Sequence, residues 1–364
     1  MIFETSTAAI LQKIDQIDPV AYGKSRNYVD GAVSHLSPYI SRGVLSTKLV
    51  FERLQVRGIP FSSMEKFVQE LAWRDYWQQL WIAKGTQINT DLKSEQLEVL
   101  HRAIPEAIVK GTTGIQLIDQ GIQILKDTGH LHNHMRMYLA SIACNIAKSH
   151  WKHPAEWMYY HLLDGDWASN ALSWQWVAGT NSNKKYYANQ DNINTFFYGS
   201  QKGSFLDVPY EAFENIPCPE NLRASIVVDF KTPLPASDEV SLLPERPVLL
   251  YNYYNLDPFW RKDEAANRIL LLEPSVFEKH PVSEKCIDFV IKLSKNIPGI
   301  QVFVGEFENL AKQALGQQLI FKEHPLNKHY RGTQDDRDWL SSVKGDFPSF
   351  FRFWKPCKKE LKNR

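Results

Sequence analysis

The chain has 364 residues, 42 lysines and arginines against 41 aspartates and glutamates, and a formal net charge of +1. That length accommodates two domains of roughly 100–200 residues each, and with 43% hydrophobic and 23% charged residues the composition is that of a folded protein, not a disordered one. Near-neutrality excludes whole-protein electrostatic attraction as a basis for nucleic-acid binding, so any such affinity requires a local patch.

The N-terminal stretch MIFETSTAAILQKIDQ alternates polar and apolar residues, with no basic start and no cleavage site, so no signal peptide is expected. Residues 1–204 read as helices. VSHLSPYISRGVLS, Val33 to Ser46, sets small hydroxyl residues and a glycine ahead of a helix, a pattern suited to phosphate but equally to simple capping. In ELAWRDYWQQLW, the residues Glu70, Trp73, Arg74, Trp77 and Trp81 recur at i, i+3, i+4, i+7 and i+11, on one side of one helix. Ile115, Ile118, Ile122 and Leu125 have helical spacing, as do Met135, Leu139, Ile142 and Ile146. Asp166 reads as an N-cap, and its helix would carry Asn170 and Trp174 on one face. Eight of the 11 tryptophans fall between residues 70 and 180, which suits core packing, ring stacking or electron transfer.

Six prolines between 217 and 247 mark residues 205–247 as a linker or an extended covering segment. Apolar runs from Val248, Arg268, Ile300 and Gln317 predict strands. The pattern SEKCIDFVIKLSKNIPG, lying between the second and third runs, predicts a helix, so residues 248–330 are expected to form a small parallel α/β domain. It has neither a GxGxxG nor a GxxxxGK(S/T) loop, so no dinucleotide or P-loop site is expected there. Residues 331–364 end in FRFWKPCKKELKNR, a basic aromatic tail read as a solvated terminus or a nucleic-acid contact. No apolar run approaches the roughly 18–20 residues of a membrane span. Cys144, Cys218, Cys286 and Cys357 lie far apart without a CxxC pair. Reduced cytoplasmic thiols are therefore expected, with no disulfide framework and no metal site.

Four segments taken in order, VSHLSPYISRGVLS, ELAWRDYWQQLW, TGHLHNHMRM and LLDGDWASNALSWQW, resemble the flavin-binding domain of DNA photolyases and cryptochromes. GTTGIQLIDQG, Gly111 to Gly121, resembles that family's GxTGxxxxDxxM stretch. The resemblance covers about residues 20–180 and implies a mainly α, FAD-binding helical domain followed here by the smaller α/β domain.

It further implies roles at the matching positions. Tyr22, Ser34, Leu36, Ser37, Arg74, Asn133, Arg136, Asp164, Asp166 and Asn170 would hold FAD. Ser34, Leu36, Ser37 and Arg74 would lie on the diphosphate, with the Arg136–Asp164 pair beside the flavin ring and Asn170 near N5. Trp174 and Trp151 match two members of the family's electron-transfer chain. Its outer member falls at Ile108, so the chain is either short or uses Trp157, Tyr159 or Tyr160. Glu70, Trp73, Asn133, Met137 and Trp176 match residues that bind a cyclobutane pyrimidine dimer flipped from DNA, with Arg26, Trp73 and Trp176 as nucleic-acid contacts. Enzymes for (6-4) photoproducts carry a histidine pair at the positions of Asn133 and Met137.

Departures weigh against repair. His35 and His134 stand where photolyases carry arginine, which weakens a phosphate-binding rim, although Arg26, Lys184 and Lys185 compensate in part. His130 and Phe67 replace tryptophans. Family members normally begin with an α/β antenna domain, whereas this chain starts almost at the flavin unit. Its C-terminal α/β segment loosely resembles that domain moved to the other end, and the antenna chromophore is unassigned. The first reading is light-driven repair of cyclobutane dimers in duplex or single-stranded DNA. The second is a cryptochrome-like photosensor with a protein partner. The third is a non-photochemical flavoprotein that binds single-stranded nucleic acid.

Overall fold

The structure, a computed structural model, describes residues 3–364. It is mainly helical, with one five-stranded parallel sheet, as the sequence predicts. The sheet strands are β1 (Val248–Tyr251), β2 (Asn267–Leu272), β3 (Ile300–Val304), β4 (Leu319–Lys322) and β5 (Thr333–Asp335). They lie in the order β3-β2-β1-β4-β5. Four of them are the predicted apolar runs: β1 and β2 are buried as strands covered on both faces must be, whereas in the edge strand β3 only Phe303 is buried. The polar β5 is not visible in the sequence pattern. It pairs with β4, and Asp335 accepts hydrogen bonds from Trp260 Nε1 (2.8 Å) and Arg261 Nε (2.7 Å).

The expected division follows chain order, but the compact units do not. One unit gathers residues 3–23, Ser34–Ala83 and Lys231–Arg364; the other gathers Lys24–Val33 and Lys84–Phe230. In the first unit, the N-terminal helices and the α/β sheet share one packed body. The side chain of Asp75, in the helix Phe61–Lys84, accepts the Leu340 N–H (2.8 Å), and Gln78 Oε1 accepts from Arg337 (2.8 Å). Arg42, fully buried, lies under the Tyr253 ring at 3.6 Å. Gly43 must be glycine: its φ is +67°, and a Cβ would stand 2.4 Å from the Tyr254 carbonyl. The proline-rich segment covers the sheet edge. The Asp238 N–H donates to the Val302 carbonyl (2.8 Å), and the Val302 N–H donates back to the Asp238 carboxylate (2.7 Å), so the edge strand β3 has partners.

The basic aromatic C-terminus is a helix, Phe350–Lys362, within the first unit. Phe350, Phe353, Trp354, Cys357 and Leu361 are buried, at the i, i+3, i+4, i+7, i+11 spacing of an amphipathic helix.

The second unit is built from the helices Gln116–Thr128, Asn133–Ser141, Lys152–His161, Trp167–Ala178 and Gln190–Phe197. In its GTTG stretch, the Asp119 carboxylate accepts the Thr113 and Gly114 N–H groups at 2.7 and 3.2 Å, so this motif closes the turn that starts a helix.

Candidate flavin site

Within the second unit, Asp166 caps the helix Trp167–Ala178 by accepting the Ser169 N–H at 2.7 Å, as its sequence context predicts. One turn on, Asn170 donates from Nδ2 to the Ala155 carbonyl (2.8 Å), which commits the donor end of the amide and leaves Oδ1 as an acceptor. Trp174, a turn further, is buried. Asp164 precedes the cap, with its side chain 3% exposed. Arg136 Nη2 reaches both of its carboxylate oxygens at 3.0 Å, and Arg136 Nε donates to the Leu131 carbonyl at 2.9 Å. Gly165 separates the two acids because a Cβ there would lie 2.9 Å from the Leu162 carbonyl. The DGD spacing thus sets one aspartate as a cap and holds the other against a fixed guanidinium.

Asn133, Arg136 and Met137 lie at i, i+3 and i+4 at the start of the helix Asn133–Ser141, where Asn133 is exposed and Met137 half-buried. His132 accepts the His134 N–H (3.2 Å), and burial lowers the pKa of both rings, that of His132 to about 4. His134 is therefore neutral at pH 7 and does not replace the charge of an arginine. Trp176 is 39% exposed, with its ring 5.7 Å from Tyr186. Lys185 and Lys148 both pair with Glu98 at 2.9 Å, which holds that carboxyl down to about 2. Arg26 is half-buried and Lys184 exposed. Trp151 is fully buried and donates its indole N–H to Asp91 Oδ1 at 2.7 Å. Ile108 is buried as well.

The remaining candidates belong to the first unit. Ser34 accepts the Leu36 N–H at 3.4 Å, His35 has a φ of +52°, and Ser37 opens a five-residue helix, Ser37–Ser41. Arg74 donates to Ser41 Oγ (2.5 Å) at the C-terminal end of that helix. Tyr22 packs edge-on against Phe67, centroids 5.0 Å apart. Glu70 and Trp73 are half-buried. Trp73 stacks on Phe350, centroids 3.7 Å apart and planes 8° apart. Trp77 and Trp81 are buried, the latter edge-on to His324 at 5.3 Å, so this end of the tryptophan row is packing.

Sequence reasoning passed over Asp91 and Phe350. The first sits in the polar run TDLKSEQ, which reads as loop; the second belongs to the amphipathic spacing in the C-terminal segment.

Residues 67–202 match a family model described as the FAD binding domain of DNA photolyase. A deoxyribodipyrimidine photo-lyase of Thermus thermophilus is 36% identical over 169 residues, covering 43% of this chain and 38% of that protein. Over these residues the chain is similar to the FAD-binding domain of DNA photolyases. A second similar protein, the deoxyribodipyrimidine photo-lyase of Streptomyces griseus, is 31% identical over 176 residues, covering 45% of this chain and 37% of that one. Among solved structures, a cryptochrome from Synechocystis superposes with a TM-score of 0.48 at 24% identity, over 54% of this chain and 44% of that one. The chain spans less than two fifths of the length of these two curated photo-lyases. No described helix is long and apolar enough to cross a membrane.

Proposed function

We propose that the protein binds FAD and uses light-driven electron transfer from the reduced flavin to reverse cyclobutane pyrimidine dimers in DNA. The observation that carries the reading is the frame around DGD: Asp164 held by Arg136, Asp166 spent as a cap, and Asn170 fixed with its acceptor end left over. Ser169 Oγ, on the first turn of the same helix, is buried without a hydrogen-bond partner among the described residues, as a polar ligand edge would require.

When bound, FAD supplies the light-absorbing group and the electron for the dimer. Arg136 holds the Asp164 carboxylate in one orientation, so it would be placed to accept a hydrogen bond from the flavin ring without reorganising. Asn170 would offer Oδ1 to the flavin as a further acceptor. Ser34, Leu36, Ser37 and Arg74 are assigned to the diphosphate, with the planar fork of Arg74 matched to phosphate oxygens, and Tyr22 to the cofactor as well. For the lesion, Glu70 is assigned a hydrogen bond to the dimer, Trp73 and Trp176 its stacking faces, and Asn133 and Met137 its remaining contacts. Arg26 is assigned to a phosphate.

A photosensor reading is favoured by one specific observation: Phe350 covers Trp73. Such a protein needs the flavin residues but not the lesion contacts, and its partner is a protein. Glu70→Ala distinguishes the two. Repair predicts that light-dependent dimer reversal falls by about tenfold or more while light-induced flavin reduction persists. Unchanged reversal by that variant would refute the assignment of Glu70.

A further inference from the structure

Trp151 is a buried tryptophan whose indole N–H points at a carboxylate. Its Nε1 lies 2.7 Å from Asp91 Oδ1, and the side chain is fully buried. The same oxygen meets His150 Nε2 at 3.1 Å, and Asp91 Oδ2 accepts the Gln96 N–H at 2.8 Å. Gln96 in turn accepts the Trp151 backbone N–H (2.9 Å) and donates to the Ser149 carbonyl (2.8 Å), so carboxylate and indole are clamped to one another. The His150 tautomer follows from its other nitrogen. Nδ1 accepts the Lys152 N–H at 3.3 Å, so the neutral ring carries its proton on Nε2 and donates it to Asp91. Trp167 provides a contrast within the same unit, since its indole donates at 2.7 Å to Asn89, a neutral amide.

We infer that Asp91 is the proton acceptor of an oxidised Trp151, making Trp151 the end of a two-tryptophan electron route in a chain that has isoleucine at position 108. The inference rests on the flavin-binding reading. The photo-excited oxidised flavin is the oxidant. One electron passes from Trp174 to the flavin, and one from Trp151 refills Trp174. The Trp151 cation then breaks its Nε1–H bond and passes the proton to Asp91 Oδ1. The products are a neutral Trp151 radical, a protonated Asp91 and a flavin reduced by one electron, so charge and protons balance. An indole cation is far more acidic than indole, and a carboxylate in hydrogen-bond contact both stabilises the cation and removes its proton, which prevents the electron from returning. The Asp91 side chain is 18% exposed while Trp151 is fully buried, so the proton reaches water through the aspartate.

The test compares wild type, Asp91→Asn and Trp151→Phe, each loaded with oxidised FAD. Asn keeps the size and one acceptor oxygen for the indole N–H, gives up the second acceptor that faces the Gln96 N–H, and cannot take up the proton. A charge-assisted hydrogen bond is roughly twice as strong as a neutral one, so the exchange is expected to speed recombination about tenfold. After a blue flash, wild type should show the absorption of a neutral tryptophan radical. Asp91→Asn should show the cation instead, and Trp151→Phe should show no long-lived radical. Ultraviolet resonance Raman scattering from the indoles, which needs no flavin turnover, should report a weaker Trp151 N–H hydrogen bond in Asp91→Asn. The same radical species and lifetime in wild type and Asp91→Asn would overturn the inference while leaving flavin binding intact. Protein that takes up no FAD, measured by its visible absorbance, would overturn both.

Discussion

Phe350 lies flat on Trp73, with ring centroids 3.7 Å apart and planes 8° apart, and joins the C-terminal helix to the long helix that carries Glu70 and Arg74. The Trp354 ring lies parallel to Phe350, centroids 6.2 Å apart, and Lys358 pairs with Glu65 at 2.6 Å. A base that stacks on this face of Trp73 must first displace the helix.

Phe350→Ala should therefore cost about 3–5 kcal/mol of unfolding free energy, the usual range for truncating a buried phenylalanine. Phe351→Ala, at a side chain 68% exposed, should change stability by no more than ~0.5 kcal/mol. Urea titration followed by tryptophan fluorescence measures both. Equal effects of the two substitutions would show that the stacked contact does not hold the helix.

Asp75 makes stability depend on pH in an unusual direction. Burial pushes its carboxyl up to about 6, against the opposing pull of Arg337, the Leu340 N–H, Thr47 and Arg74. A carboxyl raised in the folded chain keeps a proton that the unfolded chain has lost. Its contribution is fully present below about pH 4 and is lost as pH rises through about 6. A shift of about two units corresponds to roughly 3 kcal/mol. Asp75→Asn should remove this component, so that stability measured at pH 4.5 and pH 7 differs less in the variant than in the parent. An unaltered difference would refute the assignment.

Glu98 neutralises two lysines on the unit that carries Trp176. Glu98→Gln should free Lys148 and Lys185, tighten binding of single-stranded DNA and steepen its dependence on salt by about one to two released counterions. Filter-binding titrations across a salt series read the slope. An unchanged slope would place these lysines away from the nucleic acid.

How much of this was legible depends on how far each contact reaches. The DGD segment reads directly, because a cap, a glycine turn and a helical offset are local rules that Asp164, Asp166 and Asn170 obey. Four strands read equally well, since buried parallel strands are unbroken apolar runs. β5 does not, because Thr333–Asp335 is polar and is fixed by Trp260 and Arg261 from another part of the chain. The grouping of N-terminal helices with the C-terminal sheet is equally hidden. It rests on pairs such as Asp75 with Leu340 and Trp73 with Phe350, whose members are far apart in sequence. Asp91 escaped for a related reason: nothing in a polar loop announces that its carboxylate faces an indole.

The most direct test of the central claim is dimer reversal itself. Full-length protein with its flavin chemically reduced is given an oligonucleotide containing one thymine cyclobutane dimer, under blue light and in darkness. The account predicts that intact thymines return only in the light and in proportion to flavin content. Bound, reduced flavin with no light-dependent return of thymines would contradict it and leave the photosensor reading in its place.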